Sequence, residues 1–159
     1  YNWTNAEQAI EVPLERLGLS TAADYVAFDY WSNQFIPSVR GRLQISVPGE
    51  SCVMLALRPR ADHPQVISTS RHVTQGLVDL TDERWSARNR TLTGRSRLIA
   101  GDAYELRVAT GAARIANVVV SAADRAAGVV AAPVIEASLA RVKFTSPTTR
   151  EVAWQLTFQ

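Results

Sequence analysis

The stretch "EVAWQLTF", Glu151 to Phe158, alternates without a break. Val152, Trp154, Leu156 and Phe158 fall on one face, and Glu151, Ala153, Gln155 and Thr157 on the other. Successive side chains of an extended chain point to opposite faces, so a strict period of two fits a half-buried strand and no helix. The pattern recurs along the chain. "YVAFDYW" sets Val26, Phe28 and Tyr30 against Tyr25, Ala27, Asp29 and Trp31; "RLQISVP" aligns Leu43, Ile45 and Val47; "YELRVAT" aligns Tyr104, Leu106 and Val108. "CVMLALRP" is continuously apolar, as a strand buried on both faces would be.

Turn residues punctuate these runs. Pro48-Gly49 and Gly101-Asp102 read as hairpin turns between neighbouring strands. Helical pattern is thin: "PLERLGL" supports one turn closed by Gly18, and "SAADRAAG" a loop or a single turn. Short strands at this spacing predict an all-β protein. The aperiodic, proline-containing stretch Arg58–Gln65 reads as a linker, with a boundary at about residue 62. Residues 63–159 then carry seven strand candidates, the number in an immunoglobulin-like sandwich. Residues 1–62 carry about five, and Tyr1-Asn2-Trp3 already reads as strand. A unit that small buries little surface, so it is expected to lean on a neighbour or to lack upstream strands. The fold expected is two antiparallel β-sandwiches in tandem, the second immunoglobulin-like.

Charge and composition exclude several classes. Sixteen of the seventeen basic residues are arginine, scattered along the chain rather than gathered into a stripe, and no aromatic ladder accompanies them. That argues against nucleic acid as a partner. No uninterrupted apolar run is long enough to span a membrane. The chain begins at Tyr1 without a charged-then-apolar leader, so a leader has been removed or the chain is part of a longer protein. Cytoplasmic, periplasmic and secreted locations all stay open. Cys52, the one cysteine, has no internal disulfide partner and is expected to be a buried thiol.

Catalytic chemistry is hard to assemble from these residues. Asp24, Asp29, Asp79, Asp82, Glu83, Asp102 and Glu105 are the acids available for an opposed carboxylate pair, but each also fits a turn or the polar half of a strand. Ser70, His72 and Asp79 could be imagined as a triad, yet no nucleophile elbow surrounds the serine. His63 and His72 stand without a cysteine nearby, and Asp79, Asp82 and Glu83 lack the ligand density of a dedicated calcium loop. No catalytic residue, metal or cofactor is assigned. The aromatics offer a different function: Trp31 and Phe35 lie on or just past the outer face of their strand, and Trp85 at a strand end. These three are the candidates for stacking a sugar ring. Arg71, His72 and Gln75, in the polar stretch "SRHVTQG", are candidates for contacts between units or with a partner domain. "NWT" and "NRT" have the pattern of glycosylation sequons.

Three motifs in order carry a family resemblance: "YNWT" at Tyr1–Thr4, "AFDYW" at Ala27–Trp31 and "LALRP" at Leu55–Pro59. In this order and at this spacing they resemble the β-sandwich that follows the catalytic barrel in α-galactosidase-like (melibiase-type) glycoside hydrolases. "PQVISTSRHVTQGLVDL" is similar to a segment following that sandwich in a bacterial subset, and the rest of the chain resembles an extra immunoglobulin-like module found there. One departure is Glu50 before Ser51, where such proteins often have histidine. The resemblance implies a non-catalytic, C-terminal accessory region whose partner is a (β/α)8 barrel bearing the catalytic carboxylates, so none of those is carried onto this chain. The alternatives from other classes are a carbohydrate-binding module and an immunoglobulin-like adhesion module.

Overall fold

A computed structural model describes residues 1–136 and 138–159. The chain forms two compact units, Tyr1–Arg60 and Ala61–Gln159, and nearly all regular structure is antiparallel strand.

The first unit contains β1 (Gln8–Pro13), β2 (Asp24–Asp29), β3 (Gln34–Arg40), β4 (Arg42–Val47) and β5 (Leu55–Pro59), hydrogen-bonded in the order β1-β4-β3-β2-β5. β3 and β4 pair only at Arg40 and Arg42, flanking Gly41. Gly41 has φ +68°, a conformation that costs glycine little and other residues more. The β1–β4 ribbon and the β3-β2-β5 sheet are thus joined at a single point, and they share a small core of Leu14, Tyr25, Ala27, Val39 and Leu43. Leu14 opens the 3-10 turn Leu14–Leu17 that Gly18 closes. Central β2 is covered on both faces: Val26 and Phe28 are as buried as Tyr25 and Ala27.

Several expectations are corrected here. β5 starts at Leu55 and is an edge strand, so the run from Cys52 is not a central strand and the Cys52 thiol is half-exposed. Tyr1–Trp3 is not a strand; Asn2 alone bridges, to Ser51. Pro48-Gly49 is no hairpin, because β4 neighbours β1 and β3 while β5 neighbours β2. The turn instead runs under the N-terminal segment, where the Asn2 amide donates to the Val47 and Pro48 carbonyls at 3.0 and 3.1 Å.

The second unit is a sandwich of two four-stranded sheets. One has the order β10-β13-β8-β7, from β10 (Ile115–Val120), β13 (Arg150–Phe158), β8 (Thr91–Leu98) and β7 (Leu80–Ser86). The other has the order β11-β12-β9-β6, from β11 (Val130–Ile135), β12 (Leu139–Thr145), β9 (Tyr104–Ala109) and β6 (Gln65–Thr69). Helix α1 (Ala122–Ala126) links β10 to β11, with Ser121 as its N-cap. The seven expected strands are β7 to β13. The eighth, β6, is not among the strand candidates; it begins at Gln65, the last residue of the stretch read as linker, and its Val66 and Ile67 are fully buried. A four-and-four division with the last strand, β13, inside its sheet differs from the immunoglobulin arrangement of four and three strands. Gly101-Asp102 leads from β8 in one sheet to β9 in the other, so it too is a crossover rather than a hairpin.

Alternation builds the core. Leu92 and Leu98 of β8, Val152, Trp154, Leu156 and Phe158 of β13, Tyr104, Leu106 and Val108 of β9, and Val142 and Phe144 of β12 all face the space between the sheets. Each large side chain so buried contributes about 1.5–3 kcal/mol relative to exposure. Gly94 interrupts the inward row of β8 for a steric reason: a Cβ there would lie 2.3 Å from Trp154 Cζ2 and 2.5 Å from the Asp82 carbonyl oxygen. Edge strand β11 is apolar and exposed at Val130, Val134 and Ile135, with Pro133 among them.

Candidate functional site

Asp79, 5% exposed, closes the segment between β6 and β7 and is among the most densely bonded polar groups described in the second unit. Its Oδ2 accepts from the Thr69 hydroxyl at 2.7 Å and the Tyr104 hydroxyl at 2.9 Å; its Oδ1 accepts from the Thr74 hydroxyl at 2.7 Å and the Gly76 amide at 3.1 Å. Four neutral donors therefore occupy the carboxylate. The network continues inward with a fixed direction. Trp154 Nε1 has only a hydrogen to give and donates to Ser96 Oγ at 3.0 Å. The Ser96 hydroxyl meets that of Tyr104 at 3.1 Å. Since Tyr104 gives its one proton to Asp79, Ser96 must donate to Tyr104. The chain runs from indole through two hydroxyls to carboxylate, every member satisfied.

Burial is the main reason the Tyr104 phenol titrates far above its ordinary range; the Asp79 charge pushes the same way, and the Ser96 bond opposes it. In the unfolded chain the phenol ionises near pH 10. A folded-state value above the unfolded one contributes stability that is intact below pH 10 and lost as pH rises beyond it. Denaturant unfolding between pH 9 and 11.5 is expected to show a decline approaching ~1.4 kcal/mol per pH unit from this group. The Tyr104→Phe variant should lack that part of the slope. An unchanged slope in the variant would contradict the assignment.

The same network orders the segment "SRHVTQGLVD". Buried Gln75, in a left-handed conformation at φ +43°, accepts from Ser68 Oγ at 2.8 Å. The Gln75 amide donates to the Arg71 carbonyl at 2.8 Å. Arg71 pairs with Asp102 and stands over the Tyr104 ring, its guanidinium carbon 5.5 Å from the centroid. These partners of Arg71 and Gln75 all belong to the second unit. His72 is exposed, as are Val73, Leu77 and Val78.

The remaining acids are dispersed. Asp29, buried, accepts from the Trp31 amide at 3.1 Å and the Ser32 hydroxyl at 2.6 Å, holding the turn after β2. Asp24 pairs with Arg40 and Asp82 with Arg84, while Glu83 accepts from the Val66 amide. Glu105 bridges Arg107 at 3.0 Å and Arg141 at 3.1 Å. Buried Asp124 lies in the first turn of α1, accepts from the hydroxyl of the N-cap Ser121 at 2.6 Å and faces Arg150 at 3.1 Å. A bulge between Leu80 and Asp82 helps to separate Asp79, Asp82 and Glu83. Among the described residues no group of three or more potential metal ligands comes together, and no helix is long and apolar enough to cross a membrane.

The aromatic candidates sit in three different settings. Trp31 is 53% exposed and meets Tyr30 edge-on. Phe35 is half-buried on β3, opposite Phe28. Trp85 is half-buried; its ring stacks on His63 at 5.3 Å between centroids and meets the Phe158 ring at 5.8 Å. Tyr1 and Trp3 were not singled out from the sequence, where they read as strand, yet Trp3 is 82% exposed and the two rings lie 3.8 Å apart, tilted by 37°. Of the two sequons, the Asn2 side chain is buried in hydrogen bonds and Asn89 is exposed in the β7–β8 turn. No protein-family model, no curated protein and no solved structure matches the chain.

Proposed function

We propose that this chain is a non-catalytic accessory β region of an α-galactosidase-like glycoside hydrolase and docks on the catalytic (β/α)8 barrel through its first unit. The family assignment rests on the motifs at Tyr1–Thr4, Ala27–Trp31 and Leu55–Pro59. The observation that carries the docking is the exposure of three large rings, Tyr1, Trp3 and Trp31, on one small unit. Contiguous exposed apolar surface marks an interaction face, and the Tyr1 and Trp3 rings, 3.8 Å apart, form such a surface. Ring geometry favours a protein partner over a sugar: the Tyr1–Trp3 pair is tilted and the Tyr30–Trp31 pair perpendicular, so neither presents two coplanar faces. The commitment of Asp29, Asp79 and Asp124 to hydrogen bonds within the fold supports a non-catalytic role.

Calorimetric titration of the chain into a melibiase-type barrel produced without its own C-terminal sandwich tests the proposal. Saturable binding is expected, weakened about tenfold or more, ~1.4 kcal/mol, when Trp3 and Trp31 are both replaced by alanine. No saturable heat with the barrel would reject it. The second reading, a carbohydrate-binding module, is favoured by the exposure of Trp31 alone. Saturable heat with galactosides that disappears in Trp31→Ala would establish it instead.

A further inference from the structure

The outer face of the β10-β13-β8-β7 sheet carries an open depression of about 320 Å³. Its position follows from the register. Asp82 lies opposite Arg95, and Arg95 opposite Ala153, across three adjacent strands. The neighbouring row places Arg84, Thr93, Gln155 and Val119 side by side across all four. Ala153 is the smallest outward side chain at the centre, so the floor sinks there, and larger polar groups form the walls.

Three features define what this depression accepts. First, the two charged groups that line it, Asp82 and Arg95, are opposite in sign. Arg84 is paired with Asp82 at 3.2 Å and Arg95 with Glu151 at 3.1 Å, so neither guanidinium brings an uncompensated charge. A phosphate or carboxylate ligand would meet the negative charge of Asp82 or Glu151 beside either guanidinium. Second, it offers hydrogen-bond donors and acceptors together: the Thr93 hydroxyl, the Asp82 carboxylate, the Arg95 guanidinium and the Gln155 carboxamide. Gln155 is exposed and its side chain meets no hydrogen-bond partner among the described residues. Third, the methyl groups of Ala153 and Val119 supply a small apolar patch, and the one ring among the described lining residues, that of Trp154, is 3% exposed and turned into the core.

We infer that this face binds a neutral polyhydroxylated ligand, a mono- or disaccharide, with hydroxyls on Gln155, Thr93, Asp82 and Arg95 and a C–H face on Ala153 and Val119. The volume is at the lower end of that of small-molecule sites, and the openness of the sheet face makes a millimolar Kd the expected strength. All of its residues belong to the second unit, and the inference does not depend on barrel docking.

Amide spectra of the full chain, labelled with nitrogen-15, test this during titration with melibiose, lactose and cellobiose, and in parallel with inorganic phosphate. Saturable shifts are expected at the Gln155 side-chain amide and the backbone amides of Thr93, Arg95 and Ala153 with at least one disaccharide. Ala153→Leu fills the depression and Gln155→Ala removes its central polar group. Loss or weakening of the shifts in either variant supports the site. Absence of saturable shifts with all three sugars, their persistence unchanged in both variants, or saturation by phosphate alone overturns it.

Discussion

Asp79→Ala is expected to cost the second unit about 3–5 kcal/mol, since each neutral donor left unsatisfied costs about 1–3 kcal/mol and the removed carboxylate no longer has to be desolvated. The substitution leaves four donors, from Thr69, Thr74, Tyr104 and Gly76, without their acceptor in a site closed to water. Against a typical domain stability of ~5–15 kcal/mol that is a large fraction. Asp79→Asn separates shape from hydrogen bonding. Its oxygen still serves two donors, but its amino group then faces the other two, so an intermediate loss is expected. Urea unfolding followed by tryptophan fluorescence measures both. Hydrogen exchange should localise the change, with the Gly76, Leu77 and Leu80 amides losing protection first. A loss below about 1 kcal/mol for the alanine variant would mean that the network does not hold the segment.

Gly94→Ala is expected to destabilise by roughly 3 kcal/mol, at the upper end for a single added methyl in a packed core. The new carbon would lie 2.3 and 2.6 Å from two atoms of the Trp154 ring. That ring has no room to retreat, because its N–H is fixed on Ser96 and its strand is inside the sheet. Trp154→Phe withdraws the outer part of the ring. The double variant should therefore be more stable than the sum of the two single losses predicts, by about 1 kcal/mol or more. Additivity within experimental error would show that the clash is relieved elsewhere.

Alternation in the sequence was sufficient to place β4 and β13, because burial on one face imposes period two on the residues themselves; β2 and β9 were also placed by their apolar residues, although both are covered on both faces. Pairing was harder to see. Pro48-Gly49 looks like a hairpin because turn chemistry is local, whereas the crossover it makes depends on where β2 lies. Strand β6 is only five residues, sits close after prolines and shows no long alternation, so its one local signal is the β-branched Val66, Ile67 and Thr69, which the strand candidates omit. The polar network was invisible for a related reason. Ser96, Tyr104, Trp154 and Asp79 are scattered along the sequence, and only sandwich packing brings them together. "DLTDE" shows the opposite effect: acids close in sequence are sent to different surroundings by strand alternation and a bulge. The depression centred on Ala153 left no mark beyond a small residue in an outward position, which becomes a cavity only when the neighbours across three strands are known.

Pro133 has a consequence for how the molecule behaves in a crowded solution. β11 is the most oily border of the fold, and an uninterrupted border of that kind recruits copies of itself into growing ribbons. Proline has no amide hydrogen, and at the rim of a sheet its nitrogen faces outward. A newcomer docking along Val130–Ile135 would find a gap halfway along its ladder. Replacing that one ring with an ordinary residue would open the border to fibril growth without altering the native contacts beneath it.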